Sequence, residues 1–322
     1  MSTREFREAE EQGSALVNLA ARASATRVIC LGLSALDQIW RVPRFFAGGS
    51  EKIRSVEFAA MGGGMAATAA VAVARLGGIA AFWGRAGEDG PGREMHKALS
   101  DQGVDVGQFR LFADGQSSVS GILVDAKGER QIVNFRGQFP EQADWLPLGE
   151  VGAASAVLAD PRWLSGAKAL FEAARAKKVP TVLDADVADR HVFETLLPLT
   201  DHAVFSEPAL SAFVGSSDEE ALAGVAKYGC HVAAVTHGAN GVTWLQHDAT
   251  HHRPAYAVNA IDTTGAGDVF HGAYALAIGA RLDVADAMSF ASAAAALKCT
   301  RPGGRAGIPT LQDCLAFQRN DR

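Results

Sequence analysis

The sequence has few cysteines and no long apolar run. Its 322 residues include four cysteines, none in a CxxC pair, so we expect free thiols in a reducing cytoplasm and no disulfide framework. No apolar stretch approaches the roughly 20 residues that span a bilayer. Residues 1–26 lack the apolar core of a signal peptide, and we expect them to form an N-terminal extension.

An excess of basic charge is also absent. The formal net charge is −6, with 30 Lys and Arg against 36 Asp and Glu. Nucleic acids and acidic membranes both bind to basic surfaces, so we expect neither as a partner. Hydrophobic residues make up 48% of the chain and charged residues 20%, which is typical of a globular protein with a large core.

Short apolar segments alternate with amphipathic ones along most of the chain. One strand pattern covers 27–40 and ends near Asp37; an Ala-rich helix at 65–76 and a strand at 79–87 follow. The later strand and helix predictions are strands at 154–160, 180–186, 201–206 and 231–236, and helices at 266–280 and 284–298. This alternation predicts an α/β fold with a central, mostly parallel sheet flanked by helices.

The apolar period changes to two between residues 110 and 136. There SSVSGILVD and QIVNF are separated by the turn AKGER, which indicates a β-hairpin. Together with segment 38–60, segment 110–136 is expected to form a small β lid. The lid belongs to a single domain that spans residues 27–315.

The string DTTGAGD, residues 262–268, places two aspartates around a small glycine turn just before an apolar helix. Gly265, Ala266 and Gly267 can present successive backbone N–H groups to an anion, and the helix N-terminus adds positive potential. Asp268 then lies in the first helical turn. It is placed either to cap the helix or to take a proton from a substrate hydroxyl as phosphate is transferred.

DTTGAGD also matches the DTxGAGD signature of the ribokinase-like, or PfkB-type, carbohydrate kinases, which the chain resembles over residues 27–310. The resemblance implies a ribokinase-like α/β fold that uses ATP and Mg²⁺. It also implies that Asp268 is the catalytic base and that the β lid forms a homodimer. Asp262 precedes the anion site and is expected to orient the turn.

Other segments carry the same resemblance. GGGMAATAAVAVARLGG is similar to the family's N-terminal signature, in which Gly63 and Gly64 match the pair whose backbone approaches the sugar. Asp37 matches the aspartate that accepts hydrogen bonds from sugar hydroxyls. VTHGANG is similar to the nucleotide-side motif. The residues that this motif implies along the nucleotide are Thr236, Gly238 and Gly241.

The chain departs from the family pattern in three places. Thr68 stands where the family usually has asparagine, and Ala35 stands where asparagine is frequent. At 206–209 the chain reads SEPA in place of the Asn-x-x-Glu motif that is linked to magnesium. The metal ligands are therefore left unassigned.

Several stretches resemble the sulfofructose kinase branch: GGGMAATAAVA, VLADPRW, FSEPAL, DTTGAGDVFHGA and ALKCTRPGGRAGIP. This resemblance implies phosphorylation of 6-deoxy-6-sulfofructose at its C1 hydroxyl, a step of sulfoquinovose catabolism. It also implies that Lys52, Asn134 and Arg162 bind the sulfonate. A permanent anion suits such donors, and arginine is the best planar one. Arg136 is a further cation near by.

The sequence is compatible with other activities. Lys52, Asn134 and Arg162 suit a phosphate almost as well as a sulfonate, so a kinase for fructose, a ketohexose 6-phosphate or a nucleoside is the nearest alternative. The altered SEPA segment also allows a non-catalytic sugar- or nucleotide-binding regulator, although the intact turn and Asp268 favour an enzyme. A Rossmann dehydrogenase is disfavoured because no GxGxxG follows the first strand, and a Walker A loop is excluded because no Gly-Lys dipeptide occurs.

Overall fold

A nine-stranded sheet forms the centre of the molecule. The computed structural model describes residues 17–216 and 218–320. The strands of this large sheet are β1 (Arg27–Gly32), β4 (Ile79–Gly87), β5 (Asp105–Phe112), β8 (Ala156–Ala159), β9 (Thr181–Ala185), β10 (His202–Ser206), β11 (Val232–Thr236), β12 (Val242–Gln246) and β13 (Ala249–Arg253). Their order is β13-β12-β11-β10-β9-β8-β1-β4-β5. The seven strands from β11 to β5 run parallel, and β12 and β13 form an antiparallel edge.

Helices cover both faces of the large sheet. They are α1 (Met65–Arg75), α2 (Gly90–Asp101), α3 (Leu164–Ala176), α4 (Arg190–Leu196), α5 (Glu207–Val214), α6 (Glu219–Ala226), α7 (Ala266–Gly279), α8 (Val284–Cys299) and α9 (Leu311–Asn320). Neighbouring strand residues point to opposite faces, so Val28 and Cys30 of β1 pack with α1, α7 and α8, whereas Ile29 and Leu31 pack with α3 to α6. Across 17–216 and 218–320, no helix has both the length and the apolar character needed to cross a membrane.

A second, four-stranded sheet lies beside the large one. Its strands are β2 (Ala35–Arg41), β3 (Glu57–Gly63), β6 (Val119–Val124) and β7 (Arg130–Phe135), in the order β3-β2-β6-β7. β2 pairs in parallel with β6 and antiparallel with β3. One face of β7 carries Ile132 and Asn134 into a cavity, while the other face, with Val133, points away from it.

The structure confirms the predicted mostly parallel α/β sheet and corrects several boundaries. The predicted strand 27–40 is two strands in two different sheets, because the chain turns at Leu33 and Ser34. The small sheet is formed by 35–63 and 119–135, and residues 110–112 belong to β5 of the large sheet. The antiparallel β12–β13 edge was not predicted: β12 is only five residues long, and β13 is equally short and largely polar.

The N-terminal extension predicted for residues 1–26 lies largely outside the described residues, which begin at 17. From that point the chain is packed on the core. Leu19 is fully buried and belongs to the same apolar cluster as α1 and α7, and Ala23 is also buried. Leu19 and Ala23, within the predicted extension, therefore pack against the core.

Gly272 of α7 tests how closely α7 packs against α1. A methyl group at this position would collide with the backbone of Ala69 in α1, whereas one on Gly224 of α6 would meet nothing within 4 Å. We expect Gly272→Ala to lower the free energy of unfolding by about 1–3 kcal/mol through overpacking. We expect Gly224→Ala to raise it by up to about 1 kcal/mol, because alanine favours a helix. Urea denaturation measures both, and equal effects at the two sites would contradict the close packing.

Candidate active site

A cavity of about 860 Å³ lies between the small sheet and the carboxyl ends of β1, β8 and β9. Ligands of parallel α/β sheets bind at this edge, where strands end and helices begin. Residues from both sheets and from the start of α7 line it. The lining residues that the sequence predicted are Asp37, Gly64, Asn134, Arg162 and Asp268.

Asp37 reaches the cavity from the small sheet. It was predicted at the end of the first strand, but it lies within β2, opposite Met61 of β3 and Ser120 of β6. Burial raises the pKa of this carboxyl group, although a hydrogen bond from Ser120 and the charge of Arg305 act against the shift. Asp37 therefore comes to the cavity from the small sheet, and Asp268 comes from the start of α7.

Each of the three glycines at 62–64 makes room for a different group. A side chain on Gly62 would collide with the guanidinium of Arg305, and one on Gly63 would collide with the Asp37 carboxylate. Gly64 has φ +92°, and a side chain there would strike the backbone at Leu33. The backbone at Gly64 therefore requires glycine, while Gly62 and Gly63 leave room for the side chains of Arg305 and Asp37.

Asp160 organises this edge of the sheet, and the sequence reasoning did not single it out. It follows β8 and is fully buried. Its Oδ2 accepts hydrogen bonds from the backbone N–H groups of Leu33 (2.8 Å) and Ala66 (3.1 Å). Its Oδ1 accepts one from the N–H of Arg162 (2.9 Å). One carboxylate thus joins the β1–β2 connection, the start of α1 and the segment after β8.

The turn at 262–268 leads into α7 as predicted. Gly265 is the N-cap residue, with φ +77° in the left-handed region, and no side chain within the described residues caps this helix. The first amides of a helix have no acceptor within it. The N–H of Ala266 donates to the carbonyl oxygen of Thr263 (3.2 Å) in the turn, so that of Gly267 is the one turned toward an anion. His271 lies one helical turn further along α7, and its Nδ1 is 2.7 Å from the carbonyl oxygen of Gly267.

Asp268 is partly buried at the start of α7 and lines the cavity. Burial raises its pKa well above the ordinary value of 3.8, and the neighbouring carboxylate of Asp184 raises it further. His271 and Arg305 act in the opposite direction. A carboxylate with a raised pKa is a stronger base at neutral pH, and such a shift inside a cavity is typical of a catalytic group.

Arg305 is a second residue that the sequence reasoning missed. Its buried guanidinium donates to the carbonyl oxygen of Gly63 (2.5 Å) and to the hydroxyl of Thr68 (3.1 Å). Burial lowers its pKa to about 10, while the charges of Asp268 and Asp37 oppose the shift. Arg305 thus brings positive charge to both cavity aspartates, and its partner Thr68 stands where the family usually has asparagine.

Of the predicted anion-binding residues, Asn134 and Arg162 line the cavity and Lys52 does not. Lys52 is exposed on the segment between β2 and β3. The guanidinium of Arg162 donates to the carboxylate of Asp186 (2.7 Å) and to the carbonyl oxygen of Val187 (2.7 Å), so its charge is already paired. Asn134 donates to Ser120 (3.1 Å).

Two further arginines line the cavity. Arg85 was not predicted; it is buried, lies over the rings of Trp163 and Phe139 (4.3 and 4.8 Å) and pairs with Glu141 (3.1 Å). Arg136 is exposed at the end of β7, and among the described residues no carboxylate pairs with it. Arg136 is thus the cavity arginine whose charge is not already compensated.

The predicted nucleotide residues lie beside the cavity, at the carboxyl end of β11. Thr236 ends the strand, and Gly238 and Gly241 follow with φ +57° and +97°. Thr236 pairs with Ser206 of β10, whose hydroxyl donates to Asp186 (3.3 Å) in the cavity wall. The loop at 236–241 and the cavity are therefore continuous along one edge of the sheet.

The SEPA segment has a structural role in this chain. Ser206 caps α5, because its hydroxyl accepts a hydrogen bond from the N–H of Ala209 (3.4 Å). Glu207 lies 3.5 Å from Nδ1 of His237 in the loop after β11. Over residues 17–216 and 218–320, no three His, Cys, Asp or Glu side chains converge as direct ligands of one metal ion.

Asp184 offers the best fit to a metal in this region. Its carboxyl group is buried at the end of β9, and among residues 17–216 and 218–320 its Oδ2 has no hydrogen-bond partner. Burial raises its pKa well above 3.8, with Asp160 as a further cause. Mg²⁺ binds carboxylate oxygens and keeps water and phosphate as its other ligands. The residues present therefore fit a magnesium ion that is held mainly by a nucleotide.

Comparisons with known proteins agree with this geometry. A ribokinase from Haemophilus influenzae is 28% identical over 297 residues, 89% of this chain and 96% of that protein. A fructokinase from Vibrio alginolyticus is 30% identical over 285 residues, 79% and 91% of the two chains. A crystal structure from Agrobacterium tumefaciens, described provisionally as a ribokinase, superposes with a TM-score of 0.85 at 35% identity and covers 91% and 98%.

A structure of Arabidopsis thaliana ribokinase with ribose and ATP also superposes, with a TM-score of 0.80 at 25% identity, over 91% of this chain and 98% of that one. Residues 25–311 match the family described as pfkB family carbohydrate kinase. Since that match takes in both sheets, the cavity and the turn before α7, this chain belongs to the pfkB family of carbohydrate kinases.

Proposed function

We propose that this kinase transfers the γ-phosphoryl group of ATP to the C1 hydroxyl of 6-deoxy-6-sulfofructose and forms sulfofructose 1-phosphate. One observation carries the proposal: a single cavity holds a candidate base, Asp268, together with Asn134 and the guanidinium groups of Arg136, Arg162 and Arg85. A sugar with a reactive hydroxyl and an oxyanion matches both sets of groups.

The chain's own residues account for binding and proton transfer. Asp37 accepts hydrogen bonds from sugar hydroxyls, and the Gly63–Gly64 backbone lies against the sugar. Asp268 takes the proton from the C1 oxygen as that oxygen attacks the γ-phosphorus; the bond from the γ-phosphorus to the β,γ-bridging oxygen breaks, and ADP leaves. The amides at Gly265–Gly267 stabilise the charge on the transferred phosphoryl oxygens.

The nucleotide lies along the edge formed by Thr236, Gly238 and Gly241, with its terminal phosphate toward α7. This assignment is supported by the continuity of that loop with the cavity wall through Ser206 and Asp186. A magnesium ion bound with ATP would neutralise phosphate charge. The Asp184 carboxylate is the group of this chain that would help to hold it.

Fructose is the second candidate substrate. Two observations favour it: the Arg162 guanidinium is already paired with Asp186, and a fructokinase is among the similar proteins. A ketohexose 6-phosphate has the same oxyanion chemistry as sulfofructose and is the third candidate. The role of Asp268 as the base is the same for all three sugars.

We also propose that the outer face of the small sheet forms a homodimer in the cytoplasm. This face carries Trp40 and Phe58, whose rings lie 5.3 Å apart, and Val133. Phe58 is 55% exposed and Val133 is 74% exposed. An exposed apolar sheet face of this kind is typical of a contact with another chain. All four cysteines are free thiols, which agrees with a reducing compartment.

Substrate choice and the base are tested together by measuring ADP release with sulfofructose, fructose and fructose 6-phosphate. We expect the wild type to prefer sulfofructose. We expect Asp268→Asn to lose kcat by roughly 10²–10⁴-fold, which is the usual contribution of a general base. Preference for another sugar would contradict the substrate, and full activity of the variant would contradict the base.

Arg136→Gln and Lys52→Gln form the matched pair for the anion-binding residues. Since Arg136 lines the cavity and Lys52 is exposed outside it, Arg136→Gln should raise KM for sulfofructose roughly 10-fold, the value of a charged hydrogen bond. KM for fructose should hardly change. An equal or larger effect of Lys52→Gln would show that the lid residue predicted from the sequence binds the anion after all.

The raised pKa of Asp268 has a consequence for stability. The folded protein holds this proton more tightly than the unfolded chain does, so ionised Asp268 destabilises the fold at neutral pH, and the cost disappears below the ordinary pKa of 3.8. Asp268→Asn should therefore raise the melting temperature at pH 7–8, and the gain should shrink as the pH falls toward 4.

Asp262→Asn is the control with the opposite sign. Although burial acts against it, hydrogen bonds from Thr264 and Gly304 and the charge of Lys298 lower the pKa of Asp262 to about 2. Ionised Asp262 therefore stabilises the fold above pH 3.8, and this contribution is lost as the pH falls through about 2. Melting curves from pH 4 to 8 distinguish the two variants. A melting temperature of Asp268→Asn below that of the wild type at pH 7 would contradict the destabilising effect of ionised Asp268.

The dimer proposal is tested by the mass in solution. Val133→Glu places a charge on the outer face and leaves the cavity face of β7 unchanged. We expect light scattering to give the mass of two chains for the wild type and of one for Val133→Glu, because a charge at an apolar contact loses its hydration. A wild type with the mass of one chain would contradict the dimer.

A further inference from the structure

Lys298 is a fully buried lysine beside the catalytic turn. It lies in the last turn of α8, and its side chain has no exposed surface. Its Nζ donates to the carbonyl oxygens of Asp262 (2.9 Å) and Arg301 (3.4 Å) and lies 3.6 Å from the carboxylate Oδ2 of Asp262. Burial of a lysine is rare because an ammonium group loses its hydration, so its acceptors must compensate for that loss.

The carboxylate of Asp262 joins two segments that meet at Lys298. Its Oδ1 accepts a hydrogen bond from the N–H of Thr264 (3.0 Å), in the catalytic turn. Its Oδ2 accepts hydrogen bonds from the N–H groups of Gly303 (3.0 Å) and Gly304 (3.3 Å), in the loop after α8. The ammonium of Lys298 contacts both segments, because the carbonyl oxygen of Asp262 belongs to the turn and that of Arg301 belongs to the loop after α8.

The ammonium also compensates a charge. Asp262 is an anion two residues before Thr264 and three before Gly265, where the proposed phosphate site begins. An uncompensated carboxylate so close to that site would repel a nucleotide. Arg130, on β7 of the lid sheet, is a second cation here: it donates to the hydroxyl of Thr264 (2.9 Å) and lies 3.7 Å from Oδ1 of Asp262. Arg130 is half exposed on a lid strand, whereas Lys298 is part of the core.

We propose that Lys298 is a positioning residue for phosphoryl transfer. Its ammonium fixes the Asp262 end of the turn against the loop at 301–304 and neutralises Asp262, so that the amides at 265–267 meet the nucleotide phosphates in one geometry. Lys298 does this through Asp262 and without touching the sugar. The inference rests on the proposed role of the turn as the phosphate site and is independent of which sugar is used.

Lys298→Met removes the charge and keeps most of the side-chain length. We expect kcat to fall roughly 100-fold, as a displaced reacting group commonly costs, and the affinity for ADP to fall roughly 10-fold, because an uncompensated Asp262 repels phosphates. KM for the sugar should stay within about twofold, since the sugar cavity is unchanged. Phe290→Leu, a core change on the same helix, is the control and should keep kcat and ADP affinity within about twofold of the wild type.

Lys298→Ala adds a readout that a purely structural role would not produce. It leaves a small polar space lined by two carbonyl oxygens and the Asp262 carboxylate, which a small cation can enter. Ammonium or methylammonium chloride should restore at least roughly 10-fold of the lost kcat, if the ammonium charge is what the turn requires. The same salts should leave the wild type and Asp268→Asn unchanged.

These results separate the present proposal from the proposed function. ADP affinity is measured by calorimetry without any sugar, so Lys298 is tested even if sulfofructose is not the substrate. Lys298→Met with the ADP affinity and kcat of Phe290→Leu would overturn the role of Lys298. So would a folded Lys298→Ala that gains nothing from ammonium. If Lys298→Ala does not fold, the comparison of Lys298→Met with Phe290→Leu decides alone.

Discussion

The three hydrogen bonds accepted by the Asp160 carboxylate are the interaction on which the cavity depends. They join the connection to the lid strand β2, the start of α1 and the segment that carries Arg162. These segments lie far apart in the chain and bring Asp37, Gly64 and Arg162 to one place. The carboxylate is fully buried and burial raises its pKa, so its three backbone donors are needed to keep it ionised.

A second constraint is the concentration of negative charge around the start of α7. Beyond the effect of burial, Asp160 raises the pKa of Asp184, and both raise the pKa of Asp268. Within the described part of the chain, the Oδ2 of Asp184 has no hydrogen-bond partner. Such an arrangement costs stability in the unliganded protein. Strain of this kind is common where a site awaits a cation and a substrate. Arg305 limits the cost by placing a buried cation near Asp268 and Asp37.

The elements that could be predicted from the sequence are those with a strong local pattern. Apolar strands such as β4 and Ala-rich helices such as α1 were located within a residue or two. A strand buried on both faces is a continuous apolar run, and a helix repeats its buried residues every three or four positions. The split of segment 27–40 could not be predicted, since two strands of different sheets follow one another there with only Leu33 and Ser34 between them.

The parts of the candidate site that could be predicted are those where a sequence motif marks a glycine-containing backbone turn. The turn before α7 and the glycines at 63 and 64 are of this kind. Arg85, Asp160, Arg305 and Lys298 were missed as members of the site. Their roles arise from contacts with residues up to 242 positions away in the chain, as in the bond from Arg305 to Gly63. For most of these contacts the sequence offers no local signal. Asp160 is the exception, because a charged residue next to a predicted buried strand is itself a signal.

The proposed mechanism requires Asp268 to face the C1 hydroxyl of an anionic ketose within this cavity. A crystal structure of the protein with sulfofructose and a non-hydrolysable ATP analogue tests it most directly. We predict the C1 oxygen at roughly 2.6–3.2 Å from a carboxylate oxygen of Asp268, the reach of a general base, with the sulfonate against Arg136 or Asn134. A sugar bound with another hydroxyl at Asp268, or with its sulfonate away from these side chains, would contradict this mechanism.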